Sequence, residues 1–151
     1  QEIPNLTLRT TFISGMPGET EDDFKELCDL VEEIRFERVG VFVYSPEEDT
    51  PAATMEGQVP HEVGQARAEQ LMSIQKRISA EQQDSMVGET VKVLVDGVSD
   101  ETELLLQGRH QGQAPDIDGL TYINDGEASV GDVVEIVVEQ AMNYDLVGGI
   151  I

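Results

Sequence analysis

At Gly88 the hydrophobic pattern of the chain changes period, and this break constrains the fold more than any other feature. A helix repeats its apolar face every 3.6 residues and a half-buried strand every two, so two differently built parts are expected. Before the break, Leu6 to Ser14 (LTLRTTFIS) is rich in β-branched and apolar residues and reads as a buried strand. Gly15-Met16-Pro17-Gly18 ends it. Thr20 is a good helix N-cap, with Glu21, Asp22 and Asp23 where the helix dipole favours negative charge. Phe24, Leu27, Val31 and Ile34 then give one apolar face through Arg35. Val39 to Tyr44 (VGVFVY) reads as a second strand, apolar on both faces. Strand, helix, strand in this order is a unit of a helix-covered parallel sheet. Ser45 to Pro60, with three prolines and Glu47-Glu48-Asp49, reads as a loop. From His61 to about Met86 a long amphipathic helix is expected, with Val63, Ala66, Leu71, Ile74 and Ile78 as its stripe and Gly64 as its weak point.

After Gly88 come five short strand candidates: Thr90–Asp96, Leu104–Arg109, Leu120–Asn124, Asp132–Gln140 and Tyr144–Ile151. Glycines 97, 108, 112, 119, 126 and 131 punctuate them. Many short strands with glycine turns predict a small closed barrel. The expected division is therefore 1–83 for the α/β part with its long helix and 84–151 for the barrel. There is no internal repeat and no low-complexity tract.

Charge narrows the partners. The 151 residues carry 31 acids against nine bases, a formal net charge of −22. Residues 1–87 hold 18 acids and seven bases, and residues 88–151 hold 13 acids against only Lys92 and Arg109, so each part is at −11. Nucleic-acid binding relies on Lys and Arg neutralising phosphates, which argues against RNA or DNA as a direct ligand. An anionic surface steers basic partners instead. An acid-rich surface with three lysines also suits work in high salt, so the acidity alone has two readings. No run reaches the roughly 18 apolar residues of a membrane helix, and no signal-peptide pattern opens the chain. The opening Gln1-Glu2-Ile3 runs straight into strand-like sequence without a Met, which is expected of a piece of a longer protein. The single Cys28 excludes an internal disulfide and makes a cytoplasmic setting the default.

The densest local motif is Phe12-Ile13-Ser14-Gly15-Met16-Pro17-Gly18-Glu19-Thr20. Its glycines let the backbone turn and approach another group closely, and its helix N-terminus can offer N–H groups to an anion or a cofactor edge. The same pattern also serves as a plain strand-to-helix connector. Metal chemistry finds little support. His61 and His110 are isolated, Cys28 falls on the apolar helix face as a small core residue, and Glu47-Glu48-Asp49 lacks the periodicity of a calcium loop.

Longer stretches resemble a known family. LRTTFISGMPGETEDDFKEL at 8–27 is similar to a late barrel strand of the radical-SAM methylthiotransferases. VFVYSPEEDTPA at 41–52 resembles the next strand and loop of their RimO-type branch. GRHQGQAPDIDGLTYIN at 108–124 and the closing EQAMNYDLVGGI resemble that branch's TRAM domain. The resemblance covers nearly the whole chain. It implies α/β plus all-β architecture: the C-terminal part of a radical-SAM partial barrel, then a small five-stranded OB-like TRAM barrel.

The family uses S-adenosylmethionine and two [4Fe–4S] clusters to insert a methylthio group at an unactivated C–H. The RimO-type branch modifies an aspartate of small-subunit ribosomal protein twelve, and the sister branch modifies adenosine in tRNA. The family's Cys-x3-Cys-x2-Cys motif is missing here, so this piece is expected to bind no cluster or metal and to catalyse nothing alone. The resemblance places Arg9, Gly15, Pro17, Gly18 and Glu19 on the barrel wall near S-adenosylmethionine. Arg9 has a salt bridge at the strand end as its plainer role.

An OB-type RNA reader needs a basic groove with stacking aromatics. Lys92, Arg109, Tyr122 and Tyr144 are all this barrel has of either, which suits the protein-modifying branch. Asp100, Glu101 and Glu103, with Arg109, Asp116 and Asp118, are the expected contacts to a basic ribosomal protein. The piece is expected to be monomeric, with no direct nucleic-acid or membrane partner. The alternatives are the tRNA-modifying branch, whose TRAM domain should carry a basic patch, and a stand-alone acidic binding module.

Overall fold

The computed structural model describes residues 6–100 and 102–151, so Glu101 lies outside the described residues. The chain divides into two compact units, one ending at Ile78 and the other spanning Ser79–Ile151.

In the first unit, β1 (Arg9–Ser14) and β2 (Arg38–Val43) pair in parallel, with Phe12 opposite Val41 and Ile13 opposite Phe42. Between them runs α1 (Glu21–Ile34). Thr20 caps it through a capping box: its hydroxyl accepts the Asp23 N–H and the Asp23 carboxylate accepts the Thr20 N–H. Phe24, Cys28 and Val31 of α1 form a core with Leu71 and Ile78 of α2 (His61–Asp84), and Phe12, Phe36 and Val41 pack against it. Side chains alternate across a strand, so Phe12 and Val41 face the helices while Arg9, Thr11, Ile13 and Phe42 lie on the other face. That second face is open: Ile13 is 52% and Phe42 66% exposed.

Four expectations change here. The first strand begins at Arg9, not Leu6, and Leu6 and Leu8 are exposed. Ile34 is exposed, because at helical spacing it falls at the edge of the face that Phe24, Cys28 and Val31 bury. Ala66 is exposed; the buried stripe of α2 runs through Gly64, Ala68, Leu71, Gln75 and Ile78. Gly64 is a point of close packing rather than a weak one. A Cβ there would stand 3.1 Å from Val43 Cγ1 and 3.4 Å from Gly15 Cα. Polar members of the stripe satisfy loop carbonyls: Gln75 Nε2 donates to Phe36 O at 2.9 Å.

In the second unit, β3 (Thr90–Val98), β4 (Leu106–His110), β5 (Thr121–Asp125), β6 (Val133–Ala141) and β7 (Leu146–Ile150) close a barrel in the order β3-β4-β5-β7-β6. All pairs are antiparallel except β5 with β7. Val93, Val95, Ile123 and Ile136 fill the inside at alternate positions, as the period of two requires. Within this unit, Ser79 and Gln83 donate to the Asn143 and Tyr144 carbonyls. Gly97, read as a terminator, sits inside β3 at a bulge opposite β4. Leu104 is 89% exposed and falls outside β4. The expected closed barrel is present, with strand ends shifted by no more than two residues.

Candidate functional site: the strand-end turn and the acidic barrel surface

The turn after β1 is built by glycine geometry and one carboxylate. Gly15 and Gly18 have φ of 80° and 86°, the left-handed region that glycine enters without a Cβ clash. A Cβ on Gly15 would meet Gly64 Cα at 3.0 Å, so helix α2 touches the strand end. The Ser14 hydroxyl donates to Gly64 O at 3.0 Å. Pro17 is buried in the turn. Gly18 N–H donates to Gly57 O at 2.9 Å, which ties the loop before α2 to the same turn.

Glu19 is the hub. Its Oε2 accepts the Gly15 N–H at 3.0 Å, and its Oε1 meets Arg67 at 2.6 Å. Arg67 also donates to Glu19 O at 3.4 Å, pairs with Glu21, and lies over the Phe24 ring with its guanidinium carbon 5.5 Å from the ring centre. Burial opposes the Arg67 charge, but bonds from Glu21 and Glu19 outweigh it and raise its pKa above the ordinary value. Asp23 is shifted the other way: the Thr20 hydroxyl and amide bond its carboxylate and hold it below the usual range.

Five of the amides here are engaged by internal acceptors. Gly15, Gly18, Glu19, Thr20 and Asp23 donate to Glu19, Gly57, Met16, Asp23 and Thr20. Glu21, Asp22 and Asp23 add negative charge around the helix start. Internal hydrogen bonds use these five donors, and the neighbouring carboxylates disfavour an anion beside them. What remains for a ligand is shape. A Cβ on Gly18 would meet nothing within 4 Å, and Ile13 and Phe42 expose apolar surface at the carboxyl ends of the two parallel strands. Ligands of parallel α/β sheets bind at those ends, and these residues fit one edge of a cofactor there. Arg9 is exposed at the opposite end of β1 from Gly15–Glu19, so the turn gathers four of the five expected cofactor residues and leaves Arg9 apart.

The residues do not fit an iron–sulfur cluster. Among the described residues there is no group of three His, Cys, Asp or Glu suited to a metal ion. Cys28 is buried in the helix core, where burial first, then Asp29 and Glu32, push its thiol pKa up. Arg67 was not singled out by sequence reasoning. The available signal was an arginine beside Ala68 on the apolar stripe of α2, with acids at Glu19 and Glu21 to meet it.

On the barrel, the expected docking residues separate. Asp100 and Glu103 lie in the β3–β4 connection, and Asp116 and Asp118 in the β4–β5 connection. Consecutive connections of a barrel sit at opposite ends of the strand they flank, and five residues of β4 span roughly 16 Å. That exceeds the Debye length of about 8 Å at physiological salt, so the two groups act as separate patches. Asp100, Glu103 and Asp116 are exposed. Asp118 instead holds its own loop: its Oδ2 accepts the Ala114 N–H at 2.6 Å. Arg109 pairs with Asp96 on the barrel wall. No helix among the described residues is long and apolar enough to cross a membrane.

Residues 87–151 match the TRAM domain family. Over nearly its whole length the chain is similar to proteins named ribosomal protein uS12 methylthiotransferase RimO. That of Anaeromyxobacter sp. (strain Fw109-5) is 53% identical over 149 residues, covering 99% of this chain and 32% of the relative. That of Bdellovibrio bacteriovorus is 51% identical over 151 residues, covering 100% and 33%, and that of Myxococcus xanthus 50% over 151, covering 100% and 32%. The chain thus spans about a third of the length of the relatives it matches. Identity near one half along an α/β unit and a closed barrel makes this chain similar from end to end to about a third of the length of the RimO proteins, with residues 87–151 matching the TRAM domain family.

Proposed function

We propose that the chain is the C-terminal part of an enzyme that methylthiolates an aspartate of ribosomal protein uS12. The observation that carries this is the end-to-end similarity to uS12 methylthiotransferases, through both the α/β unit and the barrel. In this reading the division between core and TRAM domain falls near 83/84 and the protein works in the cytoplasm. S-adenosylmethionine and two [4Fe–4S] clusters in the full-length protein supply the methyl group and the radical chemistry. The 151 residues hold one cysteine, so cluster ligation and turnover belong to residues outside them.

Within this chain the division of labour is physical. The turn Gly15–Glu19 offers a rigid, close-approach edge at the carboxyl ends of β1 and β2, where S-adenosylmethionine is borne in this reading. The TRAM barrel, at −11 over residues 88–151, attracts a basic ribosomal protein and repels tRNA phosphates. Asp100, Glu103 and Asp116 are the exposed carboxylates suited to that encounter, and Glu101 belongs with them by sequence.

The test is co-expression of the full-length protein with uS12 in a host lacking this modification, followed by mass spectrometry of uS12 and of digested tRNA. A methylthio group replacing one hydrogen on a uS12 aspartate is the expected product. Modification of tRNA adenosine without change to uS12 sinks the assignment in favour of the sister branch. No modification of either favours a binding module.

A further inference from the structure

We propose that Arg67 is a positioning residue for the cofactor edge, acting through Glu19 on the turn Gly15–Glu19. This rests on the reading that the turn borders S-adenosylmethionine. The geometry is a relay of two contacts. Arg67 reaches from α2 to Glu19 Oε1 at 2.6 Å, and Glu19 Oε2 takes the Gly15 N–H at 3.0 Å. The two side chains are 7% and 12% exposed, so the ion pair is largely removed from water. Forty-eight residues separate them in sequence, so the pair locks two distant elements together.

Stability alone does not account for such a pair. Desolvating two charges costs about as much as their attraction returns, and apolar residues of similar size often serve stability as well or better. What the buried guanidinium adds is one defined geometry, because its two terminal nitrogens are held by two carboxylates, Nη1 by Glu19 and Nη2 by Glu21. Here that geometry is imposed on a turn with two left-handed glycines, which would otherwise sample several conformations. Phe24 below the guanidinium and Glu21 beside it restrict Arg67 further. The turn leaves open space at Gly18 and exposed apolar surface at Ile13, so the locked element is the one that faces outward. A site held to a few tenths of an ångström needs this kind of support from behind.

The experiment uses the full-length protein with its clusters reconstituted, and four variants: Arg67→Met, Arg67→Lys, Glu19→Gln, and the double Arg67→Met/Glu19→Gln. Arg77→Met serves as control, since Arg77 pairs with Glu32 in an exposed contact on the same helix. S-adenosylmethionine affinity is read by equilibrium dialysis, and turn rigidity by amide hydrogen exchange of peptides covering 14–20. Arg67→Met and Glu19→Gln are each expected to weaken binding about tenfold, and the double variant no more than the worse single, because both cut one relay. Exchange at 14–20 should quicken in each, Arg67→Lys should recover part of both effects, and Arg77→Met should match the parent. With turnover, KM for S-adenosylmethionine should rise while kcat at saturation stays near the parent value.

A lowered active fraction with unchanged affinity would mean a merely structural arginine and overturn the proposal. So would unchanged exchange at 14–20 in Arg67→Met. Weakened binding in Glu19→Gln but not in Arg67→Met removes the role of Arg67 and leaves the cofactor reading standing. Quickened exchange in both variants with full affinity means that the turn does not border the cofactor, and the reading beneath the proposal fails. If Arg67→Met does not fold, Arg67→Lys and Glu19→Gln decide by the same measurements.

Discussion

Gly108→Ala tests how closely the barrel strands approach. Gly108 lies on β4 opposite Val95 of β3. A Cβ built on it falls well inside contact distance of the Leu94 carbonyl oxygen, and 2.8 Å from Val93 Cγ1. The first obstacle is backbone, so no side-chain rotation relieves it, and β4 must move away from β3. Such overpacking costs about 1–3 kcal/mol, and a weakened ladder hydrogen bond adds about 1 kcal/mol. The expected loss is therefore about 3 kcal/mol, a large share of the roughly 5–15 kcal/mol that holds a domain folded. For a domain of this size it corresponds to a fall in Tm of about 12–24 °C. Gly97→Ala is the matched comparison, on the same strand pair but with nothing within 4 Å of its Cβ and no positive φ. It should be neutral or stabilising by about 0.4–1 kcal/mol, because alanine restricts the unfolded chain. Tyrosine emission in a Tyr44→Phe background reports the barrel through Tyr122 and Tyr144, as the chain has three tyrosines and no tryptophan. Tyr44 Oη is buried with no hydrogen-bond partner among the described residues, so this background loses no bond. Equal urea midpoints for Gly108→Ala and Gly97→Ala would refute the close approach of β3 and β4.

Leu146→Ala, at a fully buried barrel position, should cost about 2–5 kcal/mol in the same urea assay. Thr20→Ala should destabilise the first unit by about 1 kcal/mol through loss of the cap, measured by denaturation followed by circular dichroism. The Asp23 pKa is lower folded than unfolded, so its contribution is present above the ordinary carboxylate range and lost as pH falls through the depressed value; Asp23→Asn should flatten that acid limb of a stability–pH curve. Cys28 is buried with a raised pKa, so a disulfide reagent should modify it only on unfolding, and rapid labelling of the native protein would contradict its place in the core.

What the sequence disclosed follows the range of the forces involved. Capping is local, so Thr20 and the acids after it could be read directly, and so could alternation in Val91, Val93 and Val95. The period change at Gly88 announced the barrel. Contacts between distant segments carried no such mark. Gly64 looked like a helix defect because a single sequence does not show that Gly15 lies against it. Ala66 looked apolar enough for the stripe, yet the helix turns Gly64, Ala68 and Leu71 inward and leaves Ala66 outside. Arg67 was not singled out in the sequence, because Glu19 and Glu21 come within its reach only in the fold. Strand ends were misjudged where a hydrophobic residue continued past the ladder, as at Leu104, since apolar character does not reveal where hydrogen bonding stops.

The acidity of the barrel divides by task. Several carboxylates hold the barrel itself. Asp118 accepts the Ala114 N–H and Asp132 the Ser129 N–H, each within one connection between strands, and Asp145 accepts the Leu120 N–H, which joins two connections. Asp96 and Glu135 pair with the barrel's two bases, and Glu139 accepts from Asn124. These groups contribute to the long-range field, but neutralising one that closes a loop also changes structure. Asp100, Glu103 and Asp116 are exposed, and their side chains take part in none of these contacts. Their charges can be removed with little effect on the fold, so effects there report the field felt by a partner. Asp116 and Asp118, two residues apart in one loop, therefore have different meanings. Loss of association on Asp116→Asn speaks for docking, whereas the same loss on Asp118→Asn speaks first for the loop that carries Asp116.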